Sequence, residues 1–180
     1  QATKQRLAEN APFAVQGEAY SLRASYSDKP VNGVASIAVT KTFSLVPHRV
    51  DLDAVFDEST ASKDVKRNTF RGVKAIQMPA TVDWSGFALG TFDLTGIKSL
   101  QVGAFFFKEA ATWQFELRRN NAEGEVIAAG VLSSGAELKT YQRSTIAVTP
   151  TSGFSELYLQ LKVENKTSGE LSLQDISFEK

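Results

Sequence analysis

The stretch TFDLTGIKSLQVGAFFF (residues 91–107) opens a series of segments that decides the fold. It is followed by WQFELRRNNAEGEVIAAGVL (113–132), YQRSTIAVTP (141–150), SELYLQLKV (155–163) and LSLQDISFE (171–179). Much of each segment alternates apolar and polar residues, which is the period of a strand with one buried side. Turn-forming residues such as Asn120-Asn121, Gly135, Pro150 and Gly153 separate the segments. The second half of the chain therefore predicts a compact all-β domain.

The first half continues the same pattern. Residues 19–27 alternate, residues 28–33 contain turn formers, and residues 34–45 alternate again, which predicts a β-hairpin. Residues 57–68 are charged and polar and predict a solvated loop. The remaining predicted strands lie at 49–56, 71–78, 87–92, 98–107, 112–118, 125–131, 140–148, 155–163 and 171–178.

About ten short strands with turns at short intervals predict an antiparallel β-sandwich or jelly roll, preceded by an N-terminal β-hairpin. No segment has a sustained helical period with start and stop signals. We expect residues 1–16 to be a linker or arm, 17–47 the hairpin and 48–180 the sandwich. Alternate apolar residues predict its core, among them Val102, Phe106, Phe115, Leu117, Ile146, Val148, Leu157, Leu159 and Leu161.

Composition excludes several classes of function. Twenty basic residues balance twenty acidic ones among 180, so a nucleic-acid partner is not expected. No apolar run approaches the ~20 residues of a membrane span. The chain lacks cysteine and has one histidine, His48, which excludes thiolate chemistry and multi-histidine metal sites. We interpret His48 as a surface residue. No signal peptide is visible, and the start at Gln1 suggests a processed product or a piece of a longer protein.

Three strings carry a resemblance to a known family. Residues 92–100 (FDLTGIKSL), residues 115–118 with 124–127 (FELR and GEVI) and residues 156–161 (ELYLQL) resemble strands of family 6 carbohydrate-binding modules. These modules are galactose-binding-like β-sandwiches, and the resemblance covers residues 49–180. The hairpin string YSDK…NG (26–33) is similar to one that precedes such modules in exported quinoprotein sugar-dehydrogenase and cytochrome c proteins.

The resemblance implies a non-catalytic module of a larger exported protein that contacts a polysaccharide or oligosaccharide through loop-rim residues. It would be secreted, periplasmic or at the cell surface, and neighbouring domains of the same polypeptide would be further partners. An alternative is a structural or protein-interaction β-sandwich with a degenerate sugar cleft. An enzyme is disfavoured, because there is one histidine and no pair of carboxylates is marked out by spacing.

The binding residues of the family are only partly matched. Its cleft uses aromatic rings and an asparagine, since aromatic faces stack on sugar rings. Here the first aromatic is replaced by Ile76 or Gln77, and the asparagine by Ser172. A tryptophan expected near residue 135 is replaced by Glu137 or Leu138.

The remaining ligand-binding candidates are Trp84, Tyr141 and Ser172. For Trp84, ligand contact and packing at the edge of the sandwich are both open interpretations. Tyr141 begins a predicted strand, and for this residue too both core packing and ligand contact are open interpretations. Trp113 alternates with Phe115 and is expected in the core.

The resemblance also implies a structural calcium ion. Asp51 and Asp53 have the i, i+2 spacing that places two carboxylates on one face of a strand, and Asp175 or Gln174 would add an oxygen. Oxygen ligands suit Ca²⁺. The other interpretation of the two aspartates is a solvated polar face.

Overall fold

The computed structural model describes residues 2–4, 20–27, 38–45, 49–135, 137–165 and 167–180. His48 and the predicted hairpin turn at 28–33 lie outside the described residues. No helix among the described residues has the length and apolar character needed to cross a membrane.

The described residues form thirteen strands and one short helix, α1 (Leu52–Val55). The strands are β1 (Ala2–Lys4), β2 (Tyr20–Ser27), β3 (Ala38–Leu45), β4 (Arg49–Asp51), β5 (Lys66–Phe70), β6 (Val73–Met78), β7 (Ser85–Asp93), β8 (Ser99–Phe107), β9 (Thr112–Arg119), β10 (Val126–Ser133), β11 (Tyr141–Ala147), β12 (Phe154–Val163) and β13 (Glu170–Glu179). From β6 onward, every strand lies within two residues of its predicted bounds, because alternation and turn residues agree there.

Two antiparallel sheets make the sandwich. One has the strand order β10-β9-β12-β7, and the other has the order β11-β8-β13-β6-β5 with β4 paired to β13. Consecutive strands from β6 to β9, and again from β10 to β13, cross from one sheet to the other. That connectivity is typical of a jelly roll, and the predicted all-β sandwich is confirmed.

The N-terminal hairpin is also present. β2 and β3 pair antiparallel, with Tyr20 opposite Leu45 and Ser27 opposite Ala38. β1, which comes from the predicted arm, pairs with β2 and completes a three-stranded sheet. The boundaries at residues 16 and 47 stay a prediction.

The core lies between the two sheets of the sandwich. Its largest fully buried side chains include Phe87, Phe106, Trp113 and Phe115. A side chain such as Phe115 contributes roughly 1.5–3 kcal/mol when fully buried. The indole N–H of Trp113 has no hydrogen-bond partner among the described residues, which reduces the gain from burying Trp113 by about 1–3 kcal/mol. Trp113 is thus a core residue, as its alternation indicates.

Two predictions of secondary structure were wrong. Residues 49–56 were expected to be one strand, but the strand ends at Asp51 and helix α1 follows. The Asp51 side chain accepts a hydrogen bond from the Asp53 amide at 3.1 Å, which caps this helix. The two carboxylates therefore do not share a strand face. The predicted loop at 57–68 contains the start of β5, whose polar residues suit an exposed edge strand.

Candidate functional site

Trp84 lies at a loop-to-strand junction, directly before β7. Ser85 pairs with Leu161, so the next pair outward brings Trp84 beside Lys162. The Lys162 ammonium lies 4.7 Å from the centroid of the Trp84 ring, a cation–π contact. The ring is half-buried rather than part of the core.

Lys162 is on the outer side of the four-stranded sheet, because the residues on either side of it, Leu161 and Val163, are buried in the core. The same alternation turns every second residue of β9 and β12 outward. The register pairs these residues across the two strands. Together with Trp84 they form what we call the Trp84 face: Gln114, Glu116, Arg118, Tyr158, Gln160 and Lys162.

Glu116 is at the centre of the Trp84 face. Its Oε2 atom accepts hydrogen bonds from Arg118 Nε at 2.8 Å and from Gln160 Nε2 at 2.9 Å, and Arg118 Nη2 lies 2.7 Å away. Gln160 is only 3% exposed and acts as a support for the carboxylate. Glu116 Oε1 and the Tyr158 hydroxyl make no hydrogen bond to a described residue. The face therefore combines aromatic rings with unused polar groups.

Tyr141 lies on the opposite outer surface, on the six-stranded sheet. Its hydroxyl donates to Asp175 Oδ2 at 2.7 Å and accepts from Arg143 Nε at 2.8 Å. Arg49 Nη2 donates to the same Asp175 oxygen at 2.7 Å, and Arg143 Nη2 to Oδ1 at 3.1 Å. Asp175 is 1% exposed. We call these four residues and Gly103 the Asp175 face.

The contacts of the Asp175 face leave little for a ligand. Burial, and then the hydrogen bond to Asp175, raises the pKa of the Tyr141 hydroxyl above its usual value. Gly103 pairs with Arg143 and Asp175 on the neighbouring strands, and a Cβ there would lie 2.2 Å from the Tyr141 hydroxyl. The glycine is needed for this close approach. Tyr141 is 37% exposed, but its polar atom is already bonded on both sides.

Ser172 is a buried residue of strand β13 in the same six-stranded sheet. It is 1% exposed, and its Oγ has no hydrogen-bond partner in the part of the chain that the structure describes. Ser172 is in register with Phe105, whose ring packs against Tyr141 at 5.6 Å and against Phe70 at 5.7 Å between centroids. A ligand on the surface would meet these rings before the serine.

The three candidate calcium ligands do not form a metal site. No group of three or more potential ligands among His, Cys, Asp and Glu occurs within the part of the chain that the structure describes. Asp53 faces Arg67 at 3.1 Å and Lys74 at 3.3 Å, while Asp175 is held by two guanidinium groups. Cations of the chain neutralise Asp53 and Asp175, and the Asp51 carboxylate caps helix α1, so the donor set does not fit a calcium ion.

A shallow open pocket lies near the loop position that the resemblance marks as a sugar cleft. It has a volume of about 300 Å³, and Gln77, Lys66, Asp64 and Lys108 are among its lining residues. Lys108 is paired with Glu170 at 2.5 Å. No aromatic side chain of the described residues lines it. With Gln77 at a position where the resemblance expects an aromatic residue, the pocket has no stacking surface among the described residues.

The structure separates Trp84 from the other two residues that sequence alone suggested for ligand binding. Tyr141 and Ser172 belong to the six-stranded sheet, whereas Trp84 belongs to the outer side of the other one. Sequence reasoning missed Glu116, Tyr158 and Lys162, the residues that accompany Trp84. Their signal is the polar half of the alternation in β9 and β12, which by itself predicts strands but not a shared site.

No protein-family model matches the sequence, and no curated protein sequence matches it either. The fold, however, is similar to several solved carbohydrate-binding modules. A family 6 module from Clostridium cellulolyticum, solved in complex with xylose, has a TM-score of 0.59 and 16% identity, over 73% of this chain and 96% of that chain.

Two further solved structures are similar to the same extent. A module from Clostridium stercorarium in complex with cellobiose has a TM-score of 0.56 and 15% identity, over 73% of this chain and 92% of that one. A β-1,3-glucan-binding family 6 module from Bacillus halodurans has a TM-score of 0.56 and 15% identity, over 73% and 95%. At these identities the likeness shows the fold, an antiparallel β-sandwich like that of family 6 carbohydrate-binding modules.

Proposed function

We propose that this chain is a non-catalytic glycan-binding module that takes sugar on the Trp84 face. One observation carries the proposal: Trp84 and Tyr158 share a sheet face with polar groups that have hydrogen-bonding capacity to spare. Sugar rings present C–H groups to an aromatic face and hydroxyls to its surroundings, so both kinds of group are needed in one place.

Each residue has a distinct part in this proposal. The Trp84 ring stacks on a sugar ring, and the Lys162 ammonium holds that ring in place through its cation–π contact. Glu116 Oε1 accepts a hydrogen bond from a sugar hydroxyl, because Arg118 and Gln160 fix the carboxylate through its other oxygen. The Tyr158 hydroxyl adds a further donor.

The proposal extends to the setting of the module. Residues 48–180 form the binding module of a larger exported protein, residues 17–47 form a hairpin that joins it to a neighbouring domain, and residues 1–16 form a linker or arm. The family resemblance of residues 49–180 and of the hairpin string supports this organisation.

A second function is favoured by a different observation. The pocket around Gln77 is lined by charged, amide and aliphatic residues and by no aromatic ring of the described residues, and the Tyr141 hydroxyl is bonded twice within the Asp175 face. Both features suit a structural or protein-interaction module whose sugar cleft has been lost. This function requires no ligand on the Trp84 face.

Calorimetric titration with soluble polysaccharides separates the two functions. We expect the wild-type protein to bind at least one of xylan, mixed-linkage β-glucan, laminarin or polygalacturonate. Trp84→Ala should weaken that binding at least about tenfold, since a stacking surface is lost. Tyr141→Phe, which alters the aromatic residue of the other face, is the matched control and should bind as wild type. No binding to any polysaccharide at millimolar sugar would favour the interaction module.

A further inference from the structure

The charges on the Trp84 face are not balanced. Arg118 and Glu116 neutralise each other through contacts of 2.7 and 2.8 Å. Lys162, by contrast, has no carboxylate within ion-pair distance among the described residues, and its ammonium lies against the Trp84 ring. Glu164, two residues after Lys162, and Asp83, next to Trp84, make no ion pair with it. Among the described residues, one positive charge thus remains unmatched beside the stacking surface.

Lys162 has a neighbour that can act with it. Gln114 is its direct partner across the strands, on the same side of the sheet. Residues directly opposite each other have Cβ atoms about 5 Å apart. The Gln114 amide makes no hydrogen bond to a described residue, so an ammonium and an amide donor stand side by side next to Trp84. Two adjacent donors of this kind suit a small anionic group, which accepts from both.

We propose that the Trp84 face selects anionic glycans, in which a stacked sugar ring carries a carboxylate or a sulfate. The sugar ring lies on Trp84, and its anionic group accepts from Lys162 Nζ and the Gln114 amide. A neutral sugar leaves the ammonium unmatched, whereas an anionic one neutralises it in a setting partly shielded from water by the indole ring. This inference rests on the proposed function of the same face.

Calorimetric titrations with matched pairs of polysaccharides, at low and at high salt, test the preference for anionic glycans. Polygalacturonate against fully methyl-esterified homogalacturonan converts only the carboxylate to a neutral ester on one backbone, and dextran sulfate against dextran adds only sulfate. We expect one charged polymer to bind about tenfold more tightly than its neutral counterpart at low salt. The preferred pair identifies the anionic group as carboxylate or sulfate. Preference for both supports a site for anions in general.

Three variants assign the preference to Lys162. Lys162→Met should abolish the preference for the charged polymer, and Lys162→Arg, which keeps the charge, should retain most of it. Lys98→Met removes an exposed lysine elsewhere and should behave as wild type. Thermal unfolding of each variant checks that it folds.

The outcomes separate this inference from the proposed function. Equal binding of charged and neutral polymers, unchanged by Lys162→Met, overturns the charge inference and leaves the glycan function standing. A preference lowered equally by Lys98→Met and Lys162→Met shows a general charge effect and also overturns it. Binding to no polymer overturns both.

Discussion

The two outer surfaces of the sandwich use the same kinds of residue in opposite ways. Both have an aromatic ring, an arginine and an acid within one sheet. On the Asp175 face the carboxylate accepts from three side chains and the Tyr141 hydroxyl is bonded twice. On the Trp84 face, the contacts within the described part of the chain occupy only one oxygen of Glu116.

This difference is the one expected between a structural network and a binding surface. A polar network with all its members paired stabilises the fold and has little left for a ligand. A surface on which some polar groups are fixed and others lack a partner can still form hydrogen bonds to a ligand. Residue type alone does not separate the two, because what matters is how many partners each group has within the chain.

The largest effect is expected from Asp175→Ala. Removal of a carboxylate that is 1% exposed leaves Tyr141, Arg49 and Arg143 without their shared acceptor. We expect the free energy of unfolding to fall by about 3 kcal/mol, measured by urea denaturation. Glu156→Ala, which removes an exposed carboxylate from the other sheet, should change it by less than about 0.5 kcal/mol. Equal losses for the two variants would contradict the contrast between the faces.

Gly103→Ala tests the close packing of the Asp175 face. The new Cβ would lie 2.2 Å from the Tyr141 hydroxyl, so the ring must move and its hydrogen bonds with it. We expect a loss of about 1–3 kcal/mol in the free energy of unfolding. In a Tyr141→Ala background the same change should cost much less, because nothing remains to collide with. A cost that is the same in both backgrounds would show that Tyr141 does not constrain Gly103.

The pH dependence of stability provides a third test. The folded-state pKa of Tyr141 is raised, first by burial and then by Asp175. Its contribution to stability is therefore complete below the unfolded value of about 10 and is lost as the pH rises through the folded-state pKa. Tyr141→Phe should lack this alkaline loss. Ultraviolet difference titration of wild type against the variant should show one phenol ionising above pH 10. A phenol that ionises below pH 10 would contradict the hydrogen-bond assignment.

The smallest effect is expected from calcium. Because Arg49 and Arg143 neutralise Asp175, and Arg67 and Lys74 neutralise Asp53, a chelator should shift the unfolding temperature by less than about 1 °C. Scanning calorimetry with millimolar calcium and then with excess EDTA measures this. A rise of several degrees in the unfolding temperature on adding calcium would contradict this expectation and support the calcium site that the resemblance implies.

Much of the fold was predictable because the strands alternate and turn residues separate them. The exceptions have physical causes. Residues 49–56 alternate like a strand, but the Asp51 side chain caps a helical turn. This local hydrogen bond offers the backbone an alternative to strand pairing, and the alternation of apolar residues does not reveal it. Strand β5 is polar because it lies at an edge, so its pairing comes from the backbone and leaves no apolar pattern.

The candidate site was less predictable than the fold. Sequence indicated that Trp84 lies at a loop-to-strand junction, but its neighbours depend on register between strands far apart in the chain. β9 and β12 are separated by two intervening strands, yet they place Glu116 opposite Gln160 and Gln114 opposite Lys162. Likewise, no local pattern shows that Asp175 meets Arg49 rather than a metal ion. Such pairings follow from sheet order, which alternation does not encode.

Chemical-shift mapping tests the central claim most directly. The ¹⁵N-labelled protein is titrated with the polysaccharide or oligosaccharide that binds it most tightly in calorimetry. We predict shifts in the Trp84 indole N–H and in the backbone amides of 114–118 and 158–162, with residues 101–105 and 141–143 unchanged. Shifts confined to residues 101–105 and 141–143, or to the pocket around Gln77, would contradict the assignment of glycan binding to the Trp84 face.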